Sequence, residues 1–410
     1  MKIRAASWKP RLWQAWVLAV TLIGRAESHD PFCWAQLSDP QIGMTSISAD
    51  MASFFQAVKQ VNLLAPAFAI VCGDLVHRPD DVSFASFNAV RATCRVRLYA
   101  VPGERDVTLK LRNDAMDQFR SLIGSETFSF THNGFRFIGI HSDLFKMPIP
   151  VETDNHLAWI EKELLQTRWD ACKPVMVSHH PLFVERLDEP ESWLNIPTAH
   201  RSQLWGLYRQ YRVQAVLSGH LRRYAGIRLQ DILMVTAESV TATMDQSPTG
   251  FRLWFSDGSR LTGCRFIPLY RRIPPENPVT PGTDITTQET AETCIANLRF
   301  LDAAKEWTGM LQGLSNNSEI NPERLRDHVA GDIGQITCPD GGIYTLNPLG
   351  SDPACSVPGH VLPSVYAAQE PERRAVMQPM YRNRLLPAGL PVVESNTRPE
   401  SGAQSRNALD

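Results

Sequence analysis

The chain has 410 residues, more than the ~100–200 of one ordinary domain, so a large domain with something smaller beside it is expected. A hydrophobic fraction of 43% and a charged fraction of 20% are those of globular proteins and exclude a wholly disordered chain. Forty-one Lys and Arg against 43 Asp and Glu leave a net charge of −2, without the clustered basic excess of an extended nucleic-acid footprint, and no apolar stretch reaches the ~20 residues that span a bilayer.

Lys2, Arg4, Lys9 and Arg11 precede an apolar run from Leu12 to Gly24, and Ala26-Glu27-Ser28 places small residues where a signal peptidase cuts. That pattern predicts a signal peptide over residues 1–28, and with it an exported protein. From Pro31 to about Tyr270, short apolar runs alternate with helical patterns. FCWAQLSD precedes a helix-period segment near Met51–Leu64, AFAIVCGD a second and VRLYAVPG a third. SFTHNGFRFIGI predicts a hairpin turning at Asn133-Gly134, because both central residues of a type I′ turn need positive φ. PVMVSHH, QAVLSGH, ILMVTA and FRLWFSD complete the strand set. Strands and helices mixed in this order predict an α/β (or α+β) layered sandwich with sheet at its core.

After Tyr270 the texture changes. Fifteen of the 29 prolines lie beyond it, and residues 271–286 read as an extended linker. Thr287–Leu311 reads as a helix with Cys294, Leu298, Leu301 and Trp307 near one face. Cys338 and Cys355 then bound a Gly- and Pro-rich loop, CPDGGIYTLNPLGSDPAC. In an exported protein this pair predicts a disulfide, contributing ~3 kcal/mol for a loop of that size. Cys33, Cys72 and Cys94 sit in or beside apolar runs and read as small buried hydrophobes. No Cys-x-x-Cys pair occurs, so there is no zinc-ribbon or thioredoxin-type signature. Apolar density falls beyond Pro363, which predicts disorder over 364–410.

Acidic and histidine residues fall where apolar runs end: Asp39 after CWAQLS, Asp74 after AIVCG, Glu104-Arg105-Asp106 after LYAVPG, His179-His180 after PVMVS, and His220 after AVLSG. Strand ends along one sheet edge bring distant side chains to one surface. Carboxylates and imidazoles converging there suit a divalent metal such as Mn, Fe or Zn. His180 and His77, at the motif edges, read as surface histidines ahead of the other reading, that they line the pocket.

Taken together, Asp39-Pro40-Gln41, Gly73-Asp74, Gly103-Glu104-Arg105-Asp106, His179-His180-Pro181 and Gly219-His220-Leu221-Arg222 resemble the signature of the calcineurin-like metallophosphoesterases, in the subgroup that opens on Asp-Pro-Gln. The resemblance implies a four-layer αββα sandwich over residues 31–270 and a two-metal site that hydrolyses phosphoesters. It implies metal ligands at Asp39, Gln41, Asp74, Glu104, His179 and His220, and catalytic roles for Asp39, Asp74, Arg105, Asp106 and Arg222. The sequence departs from the family pattern at four of these. Gln41 is a weak neutral ligand, and Glu104 stands for an Asn. Arg105 replaces the leaving-group acid His, and Arg222 replaces a His of the first metal. A guanidinium has no acceptor and stays protonated, so neither arginine can ligate a metal or give up a proton. Four carboxylates, at Asp39, Asp74, Glu104 and Asp106, balance two arginines and one divalent ion. The expectation is therefore one metal ion per chain, on Asp74, Glu104, His179 and His220. The arginines then either grip phosphate oxygens or merely neutralise an inactive site.

A second resemblance covers residues 287–363. CIANLRFLDAAKEW and CPDGGIYTLNPLGSDPACSVPGH are similar to the globular part of bacterial pseudopilin-like proteins. That implies a small α+β module with a structural or interaction role, a possible protein partner, and a bacterial chain exported to the periplasm or beyond. Two functions stay open on the residues: an exported metal-dependent hydrolase of a phosphorylated substrate, or an inactive phospho-ligand or protein-binding module on the same fold.

Overall fold

In a computed structural model the described residues are 29–107, 112–269, 287–315, 317–328 and 336–362. The signal peptide, linker and tail expected at 1–28, 271–286 and 364–410 lie outside them.

The apolar runs form eleven short strands in the large domain: β1 (Phe32–Leu37), β2 (Ala69–Cys72), β3 (Leu98–Val101), β4 (Phe128–His132), β5 (Phe135–Gly139), β6 (Lys173–Val177), β7 (Ala215–Ser218), β8 (Ala225–Leu229), β9 (Ile232–Thr236), β10 (Gly250–Ser256) and β11 (Leu261–Pro268). They make two mixed sheets, ordered β11-β10-β1-β2-β3 and β4-β5-β6-β7-β9-β8. Parallel neighbours cannot be joined by a tight turn. Helices Ile47–Leu64 and Asp81–Arg91 therefore cross over between β1, β2 and β3, and Pro150–Trp169 and Thr198–Gln210 between β5, β6 and β7. Their starts are encoded locally. Ser46 Oγ accepts from Ala49 N, Asp80 Oδ1 accepts from Ser83 N, and Pro150 opens the third helix, where a missing N–H is harmless. The hairpin lies where it was expected, with φ of 40° at Asn133 and 77° at Gly134 between paired His132 and Phe135.

Period-two alternation sorts the second sheet's side chains into two cores. Phe135 and Phe137, Val175 and Val177, Ala215 and Leu217, and Leu233 and Val235 face the first sheet's Trp34 and Trp254. Ile138, Met176, Val216 and Met234 turn the other way, onto Ile160, Leu164, Leu204 and Tyr208 of the helices. Phe54, Val58, Phe84 and Phe87 pack into the first cluster from their own helices. The result is helix, sheet, sheet, helix, the layering that was expected.

The helix Thr287–Leu311 spans the predicted residues and docks on the large domain. Its Phe300, Ala303 and Ala304 join the first cluster, and Arg265 of β11 pairs with Asp302. Beyond it lie a short helix, Pro322–His328, and two two-residue strands, β12 (Tyr344–Thr345) and β13 (Ala354–Cys355). The expected Cys338–Cys355 disulfide is not present in the structure, where all eight cysteines are free. The tight turn after Cys338 (Gly341 N to Cys338 O, 3.0 Å) and the Tyr344–Cys355 pairing do bring the two thiols together, but Cys294 and His360 reach the same point. Four groups, not two, share it. Cys33 and Cys72 are buried as small hydrophobes, and Cys94 is half-buried.

Candidate metal centre

Every motif sits just past a strand. Asp39 follows β1, Asp74 follows β2, Glu104 follows β3, His179 follows β6 and His220 follows β7. The parallel parts of both sheets thus present their carboxyl ends to one crevice, and the sequence-distant residues meet there. The backbone needed for this is uncommon. Asp39, Gln41, Asp74, His220 and Arg222 all hold positive φ, between 41° and 68°. Strain of that kind, of order 1–3 kcal/mol per residue, persists only where the surroundings enforce it. The motif glycines serve close approach: a Cβ at Gly73 would lie 2.6 Å from His179 Nδ1, and one at Gly103 2.5 Å from Asp74 N.

Two groups of donor atoms result, sharing His179: Glu104, His179, His180 and His220 in one, and Asp39, Asp74 and His179 in the other. Around His179 Nε2 lie Glu104 Oε2 at 2.7 Å, His220 Nδ1 at 3.2 Å and Asp74 Oδ1 at 3.5 Å. Bonds of about 2.0–2.2 Å to one central ion produce such spacings between neighbouring ligands.

The tautomers follow from the outer partners. His179 Nδ1 is 2.8 Å from the carbonyl of Cys72, and His220 Nε2 is 3.0 Å from that of Trp193. A carbonyl only accepts, so both nitrogens donate, and in the neutral rings His179 Nε2 and His220 Nδ1 are left as facing lone pairs. Facing lone pairs at 3.2 Å repel unless a cation or proton lies between them. Asp39 adds a second sign. Its Oδ2 accepts from Ser38 Oγ and His220 N, while its Oδ1 is buried without a hydrogen-bond partner. An orphaned carboxylate oxygen beside lone-pair nitrogens fits a divalent cation, and the donor set of carboxylate and imidazole suits Mn, Fe or Zn.

The field agrees. Burial pushes the Asp39 carboxyl up to about 6 and raises Asp74 as well. Burial also opposes charge on His179, yet Asp74 and Glu104 hold its imidazole well above the ordinary range. Glu104 too is disfavoured by burial, but the three histidines keep it well below the carboxylate range. The acidic surround that favours positive charge at His179 Nε2 also favours a metal ion there.

Other expected residues take different parts. Gln41 bridges: its Nε2 donates to Asp74 Oδ2 at 2.7 Å, and its Oε1 accepts from Arg222 Nη1 at 3.3 Å. Asp106 is wholly buried and accepts from Leu75 N, Val76 N and Gly103 N at 2.8–3.1 Å, tying the loop after β2 to the turn after β3. Burial, with Asp74 nearby, pushes it up to about 8. Arg105 is exposed and enters through its backbone, whose N–H donates to Asp74 Oδ1 at 3.0 Å. Arg222 reaches Gln41 and the sulfurs of Met44 and Met244.

His180, expected at the surface, is 2% exposed. Ser142 Oγ accepts from the backbone N–H of both His179 and His180, so its own proton points to His180 Nδ1 at 3.1 Å. His180 Nε2 then carries the hydrogen and faces Glu104 Oε2 at 3.4 Å. Burial first, then the charge of His179, hold His180 well below its usual range. Its one signal in the sequence is its place beside His179. Ser142 had none, and neither did Trp193, which caps His220 through its carbonyl and sets its ring 5.3 Å away. The loop bearing Trp193 is stapled from within. Glu189 accepts from Val184 N, Glu185 N, Arg186 N and Asn195 Nδ2, and buried Arg201 donates to the carbonyls of Leu187, Glu189 and Ile196.

Two mixed sheets with carboxylates and imidazoles converging past their parallel strands define the metallophosphoesterase class. Residues 35–224 match the calcineurin-like phosphoesterase family, and this region of the chain belongs to it. Among curated relatives, the serine/threonine-protein phosphatase CPPED1 of Rattus norvegicus is 26% identical over 251 residues, covering 54% of this chain and 80% of its own. That of Danio rerio is 27% identical over 252 residues, covering 55% and 82%. Among solved structures, a dimetal phosphatase from Danio rerio aligns with 58% of this chain and 96% of its own at 14% identity and a TM-score of 0.46.

Proposed function

We propose that the chain is a metal-dependent phosphoester hydrolase that works with one tightly held divalent ion. The observation that carries this reading is the pair of facing lone pairs, His179 Nε2 and His220 Nδ1, with Glu104 Oε1 3.2 Å from the latter and Asp74 Oδ1 3.5 Å from the former. Asp74, Glu104, His179 and His220 would hold the ion. When bound, it supplies Lewis acidity toward a phosphoryl oxygen and lowers the pKa of a bound water. The protein supplies the rest. Cys72 O and Trp193 O hold the two imidazoles, and His180 Nε2–H orients Glu104. Asp106 holds the loops that carry Asp74 and Glu104 in register. Arg105, exposed beside Asp74, and Arg222, reached through Gln41, present donor forks for the non-bridging oxygens of a phosphorylated substrate. The single-ion stoichiometry rests on Arg222, since Gln41 links its cationic charge to Asp74 on the Asp39 side of the site. Export is part of the proposal, supported by the basic and apolar pattern of residues 1–28. A mature protein whose sequenced N-terminus is still Met1 would remove it.

The test is turnover of an aryl phosphate by the full chain after chelation and reloading with Mn²⁺, Fe²⁺ or Zn²⁺, with metal content measured alongside. Chelation should abolish turnover and one ion per chain returned to this crevice should restore it, while His179→Ala should neither take up that ion nor turn over. Turnover that survives both chelation and His179→Ala overturns the reading.

A further inference from the structure

Among the described residues, three of the free cysteines take part in a further convergence of metal-type ligands. Cys294 of the helix Thr287–Leu311, Cys338 before the Gly-rich turn, Cys355 of β13 and His360 place their ligand atoms all within 4.8 Å of one another. Cys294, Cys338 and His360 are 4% exposed or less, and Cys355 is half-buried. This point lies outside residues 35–224 and shares no residue with the phosphoesterase site.

We propose that Cys294, Cys338, Cys355 and His360 form a closed, structural Cys₃His zinc site. Three observations carry it. First, His360 is oriented as a ligand. Its Nε2 lies 3.1 Å from Asp340 Oδ2, which leaves Nδ1 facing the thiols, 3.4 Å from Cys338 Sγ. Asp340 is itself held by Thr290 Oγ1 at 2.9 Å. A carboxylate behind the ligating imidazole is the usual outer partner of a zinc histidine. Second, the sulfurs receive donors that suit thiolates. Tyr344 Oη donates to Cys294 Sγ at 3.4 Å, and Val357 N to Cys355 Sγ at 3.5 Å. Third, backbone gives way to sulfur at Gly342, where a Cβ would stand 2.6 Å from Cys355 Sγ and 3.2 Å from Cys338 Sγ.

A disulfide explains this arrangement less well. Any one bridge among three thiols leaves an odd cysteine against the bridge and an imidazole aimed at neither. Thiolate ligands and four-fold tetrahedral closure select zinc over the harder Mn or Mg, and with four protein ligands no position stays open for chemistry. The site substitutes for a core. The apolar cluster around it is small, Cys294, Leu298 and Cys338 flanked by Tyr344, Val357 and Leu362, so a bound zinc would add much of the order at this end of the segment.

The full chain, purified under reducing conditions, is the material to test. Zinc should be present and released by a mercurial thiol reagent, and cobalt substitution should give the near-ultraviolet thiolate-to-cobalt band with intense tetrahedral visible bands. His179→Ala separates this site from the other: zinc and the cobalt–thiolate bands should survive it. Cys338→Ser should lose both, and His360→Ala should shift the visible bands and weaken cobalt binding at least tenfold. If Cys338→Ser does not fold, the bands in wild type and His179→Ala still decide. Alkylation and mass mapping of the denatured chain, from a parallel preparation made without reductant, that finds any two of the three cysteines bridged overturns the proposal. So does cobalt uptake by the reduced chain without a thiolate band.

Discussion

Gly219→Ala probes how tightly the phosphoesterase site is built. A Cβ there would lie 2.6 Å from the carbonyl oxygen of Cys72 and 2.9 Å from Asp39 Oδ2, and it would collide with Ser38 Oγ. Contacts below 3.0 Å essentially never occur for a real Cβ, so something must move by several tenths of an ångström. The side chain of Ser38 can rotate away. Cys72 O cannot, because it ends β2, which is held between β1 and β3. Overpacking against backbone belongs in the upper part of the usual range, about 2–3 kcal/mol. At roughly 2–4 °C per kcal/mol for a domain of this size, the melting temperature should fall by about 4–12 °C. The same carbonyl accepts from His179 Nδ1, so the substitution also turns a metal ligand, and losing the partner that orients a ligating histidine weakens metal binding by about 10–100-fold. Differential scanning calorimetry and Mn²⁺ titration read the two effects. Gly206→Ala is the control. Nothing lies within 4 Å of its added Cβ, and in the exposed middle of a helix Ala should be neutral or stabilising by about 0.5–1 kcal/mol. If Gly219→Ala melts and binds Mn²⁺ like wild type, the reasoning that this glycine is kept for lack of space is refuted.

The buried pair Arg252–Glu238, bidentate at 2.6 and 2.9 Å with the guanidinium 3.9 Å from the Tyr224 ring, should make Glu238→Ala costly by about 3–5 kcal/mol in urea unfolding, because a buried cation is left unpaired. The double change Glu238→Leu with Arg252→Met should cost clearly less, and an equal cost would show that packing, not the unpaired charge, is what matters. His156 accepts from the backbone N–H of His141 at 3.1 Å, and burial drives its pKa down from 6.5 to about 4. The unfolded chain takes up that proton first as pH falls, so stability is complete above about 6.5 and is lost toward 4, by on the order of 3 kcal/mol. His156→Gln, which keeps an acceptor, should flatten stability against pH across that window, and a slope unchanged from wild type would assign it to other groups.

Much of the fold was legible because strand ends carry the chemistry. Apolar runs ending in Asp39, Asp74, Glu104, His179 and His220 located the crevice, and Asn133-Gly134 located a hairpin whose φ angles no bulkier pair adopts easily. Local rules see only local partners. The disulfide expectation paired the two cysteines of one loop, whereas Cys294 comes from a helix far upstream and His360 from beyond the loop. The surface reading of His180 missed Ser142, which draws both backbone N–H groups of the His179-His180 pair inward from another strand end. Asp106 and Gln41 carry the right chemistry for ligands, but only three-dimensional contacts reveal that Asp106 is consumed by backbone N–H groups and Gln41 by its neighbours. The loop holding Trp193 has no periodic pattern at all, since its order comes from Glu189 and Arg201.

The left-handed backbone at Asp39, Gln41, Asp74, His220 and Arg222 also narrows which amino-acid alphabets a mutational library can draw on there. Asn, Asp and His enter this region several-fold more readily than other side chains, and glycine enters freely, whereas Val, Ile and Thr are true outliers in it. Saturation at these five codons would spend most of its diversity on chains that misplace the loop before any chemistry is sampled. Arg222→His and Gln41→His, by contrast, introduce a ligand from within the tolerated set. A restricted codon choice therefore reaches new metal stoichiometries by a shorter path than random exploration of the same crevice.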